Sequence, residues 1–480
     1  MNTPRQQLFL LKKFFSRIDD YSLFSSDDPD VYRDLRRQVR EGFFDLLLRH
    51  RPFLESETGL AWPYREFEKR AAGMGALVEQ GETAFIQKQA LLFLALLPFP
   101  GQWEWLIQAE SVVGREPEIQ HLLASEQRKI TAKIQKKAQK KFKLRHFCQI
   151  LKRPQPPEEK GILRIFSLPY LFADVRLLKR LNQEYLIYIE PPWGVLARHT
   201  WLRTFAQTAD PCMIGTGGHE DAAFLNTQEG ILTTRLAHGD FLEEEDVPLG
   251  CKKRFDLVFN ATYDDMERKR HGFMLDLLSR PPLEHITALF IGRGNPTNVD
   301  ACKQAVQDRG LGQRVTVLGN LMRKDVPEQL AACRIGVQTS LHENACRSIY
   351  ECFRSDLPCV VTASMAGFNF DLITPRTGRV ASDRDLPGVI LETLNQPNRF
   401  SPRRWFLENS GSRHSSRRLN REFKNLFSAL GYTWQEDIVP LGSSGATRYV
   451  SQGDYEAFLP EFKALLDILN PFLPIPLSLE

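Results

Sequence analysis

The sequence lacks a strong charge of either sign. Its 63 Lys and Arg against 59 Asp and Glu leave a formal net charge of +4 over 480 residues, which excludes a bulk electrostatic grip on nucleic acid. Paired cysteines are lacking too. The 8 cysteines include no C-x-x-C and no cysteine–histidine spacing of a zinc site, so reduced thiols and a cytoplasmic location are expected. No apolar run is long: "ALLFLALLPFP" at 90–100 falls far short of the roughly 20 residues that cross a bilayer. The apolar run in the opening "MNTPRQQLFLLKKFF" is too short for a signal-peptide core. Neither a span nor an export signal is predicted. There is also no G-x-x-x-x-G-K-[ST], H-E-x-x-H or G-x-S-x-G, so phosphate-loop, zinc-protease and serine-hydrolase chemistries have no foothold.

What is present is enough apolar residue, 42% with 10% aromatic, for a globular chain of two to four units. Residues 1–155 read as a mostly helical region, with apolar positions such as Phe43, Phe44, Leu46, Leu47 and Leu48 at helical intervals and breaks at "SSDDPD" and "PFPG". Its end is basic. From Arg128 through Arg145 no acidic residue occurs, while Ile130, Ile134, Ala138 and Phe142 recur every four. That pattern is a cationic amphipathic helix, read either as a contact of 128–146 with anionic lipid or an anionic acceptor, or as a solvated linker packing its apolar stripe on its own protein.

After the break "KRPQPPEEKG" the texture changes to buried strands: "ILRIFSL", "YLIYIEPPW", "PCMIGTGG" and "ILTTRLA". From Phe255 to Val361 strand and helix alternate regularly, through "FDLVFNA", "ITALFIG", "RVTVLG", "RIGVQTS" and "PCVVTA". The fold class is therefore α/β, and a doubly wound sheet of this kind holds its ligand at the carboxyl ends of the strands. Domains are expected at 1–155, 156–250, 251–395 and 396–480, the last helical.

The chemistry gathers after two of those strands. In "TSLHENACRSIYECF" the helix following Glu343 offers free amides near Asn344, Ala345, Cys346 and Arg347, and Arg347 adds a guanidinium fork, a set suited to a diphosphate. Glu343 at the mouth and Glu351 further in are acceptors for paired hydroxyls. Such a site fits a nucleoside diphosphate sugar, though both acids also read as exposed or paired with Arg347 and Arg354. In "MERKRHGF" the residues Arg268, Lys269, Arg270 and His271 open a helix whose dipole they oppose, which an anionic ligand explains better than a salt-bridged helix start. "FIGRGN" supplies Gly292 and Gly294 as half of a dinucleotide fingerprint, a tight turn near a base or ribose. Among histidines, His342 beside Glu343 ranks above His219 and His238. The D-x-D triplets at 28–30 and 383–385 read as loop charges, and no metal is implied.

Together, "FDLVFNATYDDMERKRHGFMLDLL", "ALFIGRGN", "RVTVLGNLMRKDVPEQLAACRIGVQTSLHENACRSIYECFRSDLPCVVT" and "TGRVA" resemble the nucleotide-sugar-binding domain of retaining GT-B glycosyltransferases of the family-four type. The resemblance implies two Rossmann-like domains facing a cleft, beside the extra helical region, and terminal helices that cross back to the first domain. It implies that Glu343 holds donor-sugar hydroxyls, Glu351 the ribose and Lys269 the diphosphate, with Asn320, Leu321 and Met322 near the base. The catalytic set is then Glu343, Lys269 and His342; the donor-binding set adds Arg347, Arg268, Arg270, Gly292, Asn344, Ala345 and Cys346. Thr262 stands where the family has an arginine, a role open to Arg268 or Arg270. The implied activity is transfer of a sugar to a glycan, lipid-linked or other acceptor with retention, without cofactor or metal. The alternatives are an inactive glycan-binding or scaffold protein on the same fold and an epimerase.

Overall fold

Runs such as CQILK, GILRI and YLIYI are buried at every position, the pattern of strands covered on both faces. The computed structural model describes residues 3–19, 42, 46, 50–58, 62, 66, 70, 143–167, 169–172, 174–190, 205–226, 229–244, 247–341, 343–365, 367–443, 448–473 and 477–479. At the amino end lie α1 (Pro4–Asp19) and α2 (Arg51–Thr58), and α1 buries Leu8, Leu11, Phe14 and Phe15 at helical spacing. The basic stretch 128–146 lies outside the described residues up to 142. Its last residues are not helical in the expected sense: Lys143 bridges to Ser478, and Leu144–His146 form a 3-10 turn with the Arg145 guanidinium 5.8 Å over Tyr455.

The first sheet comprises β1 (Cys148–Lys152), β2 (Gly161–Ile165), β3 (Tyr185–Ile189), β4 (Cys212–Gly215) and β5 (Ile231–Thr234), hydrogen-bonded in that order. All pairings are parallel except β1 with β2. β1 corrects the expectation that strands begin only after the Pro-rich break; a hairpin around that break adds it to the sheet edge. Between strands run α3 (Val175–Glu184) and α4 (His219–Leu225), and the Asp174 carboxylate caps α3 by accepting from Arg176 and Leu177.

The second sheet contains β6 (Phe255–Asn260), β7 (Ala288–Gly292), β8 (Val315–Gly319), β9 (Cys333–Gln338), β10 (Cys359–Thr362) and β11 (Gly378–Ala381), all parallel, in the order β11-β10-β9-β6-β7-β8. Counted within the unit this is the Rossmann strand order, whose switch point falls between β6 and β9. The intervening helices are α5 (Met266–Lys269), α6 (His271–Leu278), α7 (Pro296–Asp308), α8 (Val326–Ala331), α9 (Arg347–Arg354) and α10 (Leu386–Asn395). A crevice at the carboxyl ends of β6 and β9 is the consequence.

The carboxyl-end loops of the two sheets meet. Gly217, just past β4, donates its amide to Asn344 Oδ1 at 2.6 Å, and Arg235 reaches Asn369 Oδ1 at 2.7 Å. α11 (Pro402–Asn409) packs on α9 through Trp405 and Phe353, and α12 (Ser412–Leu430) then returns to the first sheet, burying Leu419, Phe423 and Phe427 against Leu151, Ile162, Leu186 and Tyr188. α13 (Gln452–Ala457) and α14 (Leu459–Leu469) complete that side. Among the described residues no helix is long and apolar enough to cross a membrane.

Candidate active site

The site grows out of the turn after β6. Thr262 caps that turn by accepting from Asp264 N at 3.3 Å and donates to Arg293 O at 2.9 Å, so it is a structural cap where an arginine was expected. α5 follows, and its backbone is stitched to the loop after β9: Leu341 N donates to Arg268 O at 2.8 Å and Thr339 Oγ1 to Lys269 O at 3.1 Å. This stitching brings two cations onto one acid. Lys269 Nζ and Arg268 Nη1 both donate to Glu343 Oε1, the latter at 2.9 Å, and Arg268 Nε also meets Asp265 at 2.5 Å. The Glu343 and Lys269 side chains are each 11% exposed. Burial alone pushes the Glu343 carboxyl up, but the charges of Lys269 and Arg268 outweigh it and hold it below the usual range.

Glu351 stands on the same side of the crevice. Its carboxylate accepts from Arg347 Nε at 3.0 Å and from Asn260 Nδ2, at the end of β6, at 2.9 Å. Arg347 also donates to Ser443 O at 3.1 Å. The two glutamates thus both bind residues at or just past the carboxyl end of β6, which is the switch point. Their spacing is not helical throughout, because α9 opens only at Arg347; Cys346, with φ 0° and ψ 67°, ends a loop made of Asn344, Ala345 and Cys346. These three, expected as helical amides, serve differently. Asn344 takes the Gly217 amide, Ala345 leaves no room for a side chain at Gly239, and the buried Cys346 thiol is pushed up to about 12 by burial.

Other expected residues divide. Arg270, expected beside Lys269 as a donor-binding cation, is tied away from Glu343 by two hydrogen bonds to Asp383, at 3.0 and 2.7 Å. It occupies the left-handed region, φ 63° and ψ 43°, between α5 and α6, a conformation costing a non-glycine residue about 1–2 kcal/mol. His271, counted with the cations, is fully buried between Phe259 and Tyr263, and burial pulls it down to about 4, so it carries no charge near neutrality. Gly292 serves packing: a Cβ there would stand 1.9 Å from Ala261 O. Asn320, at φ 57°, exchanges hydrogen bonds with Gly294 at 3.0 and 2.8 Å at the end of β8; Leu321 leans on the core and Met322 is exposed. His342 lies outside the described residues.

Three contributors escaped the sequence reading. Asn260 has only a strand end to mark it. Asp383, dismissed as a loop charge, sits past β11 and accepts from Thr362 Oγ1 at 2.5 Å and Ser364 Oγ at 3.3 Å as well as from Arg270. Gly217 belongs to the "GTGG" after β4, a glycine run that signals close approach of backbone. On the first sheet's carboxyl side, His238 faces Glu190 at 3.6 Å and Arg448 at 3.0 Å, and burial draws it down to about 4; His219 pairs with Asp371 at 2.9 Å on the surface.

The chain is thus of the α/β class, with a Rossmann unit whose switch point presents two acids among paired cations. Residues 254–396 match the model of the family described as Glycosyl transferases group 1. Solved structures similar to the chain include TarM of S. aureus in complex with Fondaparinux, alpha-GlcNAc-glycerol and UDP, at 15% identity, TM-score 0.41 and 51% of each chain. Sucrose-phosphate synthase from Thermosynechococcus elongatus is similar at 16% identity and TM-score 0.40, over 51% of this chain and 68% of that one. HepE of Anabaena in complex with UDP is similar at 17% identity and TM-score 0.40, over 50% and 71%. The chain thus spans about half the length of the first of these. Among curated proteins no sequence matches it.

Proposed function

We propose that the protein transfers a sugar from a nucleoside diphosphate sugar to a glycan or lipid-linked acceptor, with retention at the anomeric carbon and without a metal. The observation that carries this reading is the convergence of Lys269 and Arg268 on Glu343 at the β6/β9 switch point, inside the segment that matches the family. Without donor, the cations neutralise the acid. With donor, the diphosphate takes over Lys269 and Arg268 through charge-assisted hydrogen bonds, and Glu343 turns its acceptors to the sugar hydroxyls. Glu351 and Asn260 receive the ribose.

In this reading the acceptor hydroxyl attacks on the face from which the diphosphate departs. Its proton passes to the leaving phosphate oxygen, the bond from anomeric carbon to that oxygen breaks, and Lys269 with Arg268 stabilises the charge that develops. A thermal-shift scan of nucleoside diphosphate sugars tests the donor site: stabilisation by at least one is expected, followed by sugar transfer or hydrolysis with that donor. A chain that no such donor stabilises has no place in this reading.

A further inference from the structure

We propose that Arg270 and Asp383 form a positioning clamp for the donor site, holding the left-handed turn from which Lys269 and Arg268 reach Glu343. The inference rests on the function proposed above and adds to it two residues that touch neither sugar nor phosphate. Four observations carry it. Arg270 is at once the residue that ends α5 and the one that opens α6, at φ 63° and ψ 43°, where only glycine is at ease. Its guanidinium is held on two sides, with Cζ 3.8 Å from the Phe273 ring centre and both terminal nitrogens on the Asp383 carboxylate. Asp383 is itself braced by Thr362 and Ser364, so the carboxyl ends of β10 and β11 anchor the turn. The residues immediately before the turn are the two that hold Glu343.

A turn strained at its backbone persists when its surroundings over-determine it. Here the bidentate pair supplies that constraint, and rotation at residue 270 would swing the Lys269 ammonium off the acid. Arg270 and Asp383 are therefore positioning residues, not catalytic ones.

Substitution at 270 separates backbone from charge. Arg270→Gly and Arg270→Ala both delete the guanidinium, but only glycine keeps the left-handed turn without help. The test is isothermal titration of the full chain with uridine, guanosine, adenosine, cytidine and thymidine diphosphates, with melting temperatures recorded alongside. For the diphosphate that the native protein binds best, Arg270→Gly is expected within about threefold of native affinity, and Arg270→Ala and Asp383→Asn on the order of tenfold weaker. Adding Arg270→Gly to Asp383→Asn should restore the affinity, a rescue that a purely structural role for Asp383 does not produce. If Asp383→Asn fails to fold, the alanine and glycine pair decides alone. Equal loss in Arg270→Gly and Arg270→Ala means that the guanidinium itself reads the ligand, and unchanged affinity in Arg270→Ala and Asp383→Asn means that nothing is positioned; either result overturns the clamp while leaving the donor site standing. A native protein that binds none of the diphosphates brings down the proposed function and the clamp with it.

Discussion

Gly217 and Asn344 touch across the gap between the two sheets, the glycine amide 2.6 Å from the asparagine side-chain oxygen. Gly217 follows β4 of the first unit, and Asn344 is the neighbour of Glu343 in the second. The contact has no slack, because a Cβ on Gly217 would stand 1.8 Å from the Asn344 carbonyl oxygen. The backbone of one unit therefore sets the position of the loop that carries the acid of the other.

Gly217→Ala is accordingly expected to push the two loops apart. Overpacking of this kind costs about 1–3 kcal/mol, read as a lower denaturation midpoint, and the displaced Glu343 loop should raise KM for the donor. Asn344→Ala tests the same contact from the other side by leaving a buried amide unpaired, at about 1–3 kcal/mol. A Gly217→Ala protein as stable and active as the native one would mean that the loops do not share this contact in solution.

The two glutamates should respond differently to truncation. Glu351→Ala releases Arg347 and Asn260, which the proposed function sets at the ribose, and is expected to weaken nucleotide affinity. Glu343→Ala removes the partner of Lys269 and Arg268 and is expected to lower turnover, on the order of a hundredfold, with a smaller change in nucleotide affinity. Steady-state kinetics with titration of the nucleotide separates the two, and equal, negligible effects from both would refute the division of labour.

Much of this was legible in the sequence where the signal is local. The strands β6 to β10 announce themselves as short buried runs between helices, and the acid at 343 followed by a helix marks a strand end. Whatever depends on a distant partner was hidden. Asp383 gained its meaning from Arg270, 113 residues away, and looked like loop charge without it. His271 sits in a cationic string, but burial among Phe259, Tyr263 and Phe290 decides its charge, and burial is a tertiary property. The left-handed turn at Arg270 was equally unreadable, since the residue type argues against it. β1 escaped because an edge strand before a Pro-rich break has no helix to frame it.

The Arg164–Glu190 pair offers a test of the first unit. The two side chains are 0% and 3% exposed, 2.7 Å apart, and Arg164 also holds Gln149 Oε1 at 2.7 Å. Burial raises the Glu190 carboxyl, but Arg164 and His238 bring it down to about 2. Glu190→Gln strands a buried guanidinium and is expected to destabilise by about 3–5 kcal/mol, whereas Arg164→Met with Glu190→Leu should lose much less than the sum of the single changes. Urea denaturation of the native protein, the two single variants and the double variant measures the coupling, and additive losses would contradict a mutually dependent pair.

Acid is expected to loosen the protein through the imidazoles of the buried His271 and the half-buried His238. Burial holds His271 and His238 down to about 4 from an ordinary value near 6.5. Between those values the unfolded chain binds more protons than the native one, so stability rises with pH through the window and is lost as pH falls from 6.5 toward 4. For His271, fully buried, the loss reaches on the order of 3 kcal/mol by about pH 4. Asp240 works in the opposite direction. Burial lifts it to about 6 from 3.8, despite hydrogen bonds from the Ala237 amide and Tyr350, so the native state holds its proton longer and acidification through 6 to 3.8 favours folding. The two imidazoles outweigh this one carboxyl, and Glu190 and Glu343, held low by their cationic partners, add to the loss at lower pH. His271→Met should flatten the slope of stability against pH, and Asp240→Asn should steepen it below about pH 6. Urea unfolding free energies at about pH 7 and about pH 5 are the measurement; a His271→Met protein with the native slope would show that this imidazole titrates alike in both states, and an unchanged slope in Asp240→Asn would show that its carboxyl is already ionised there.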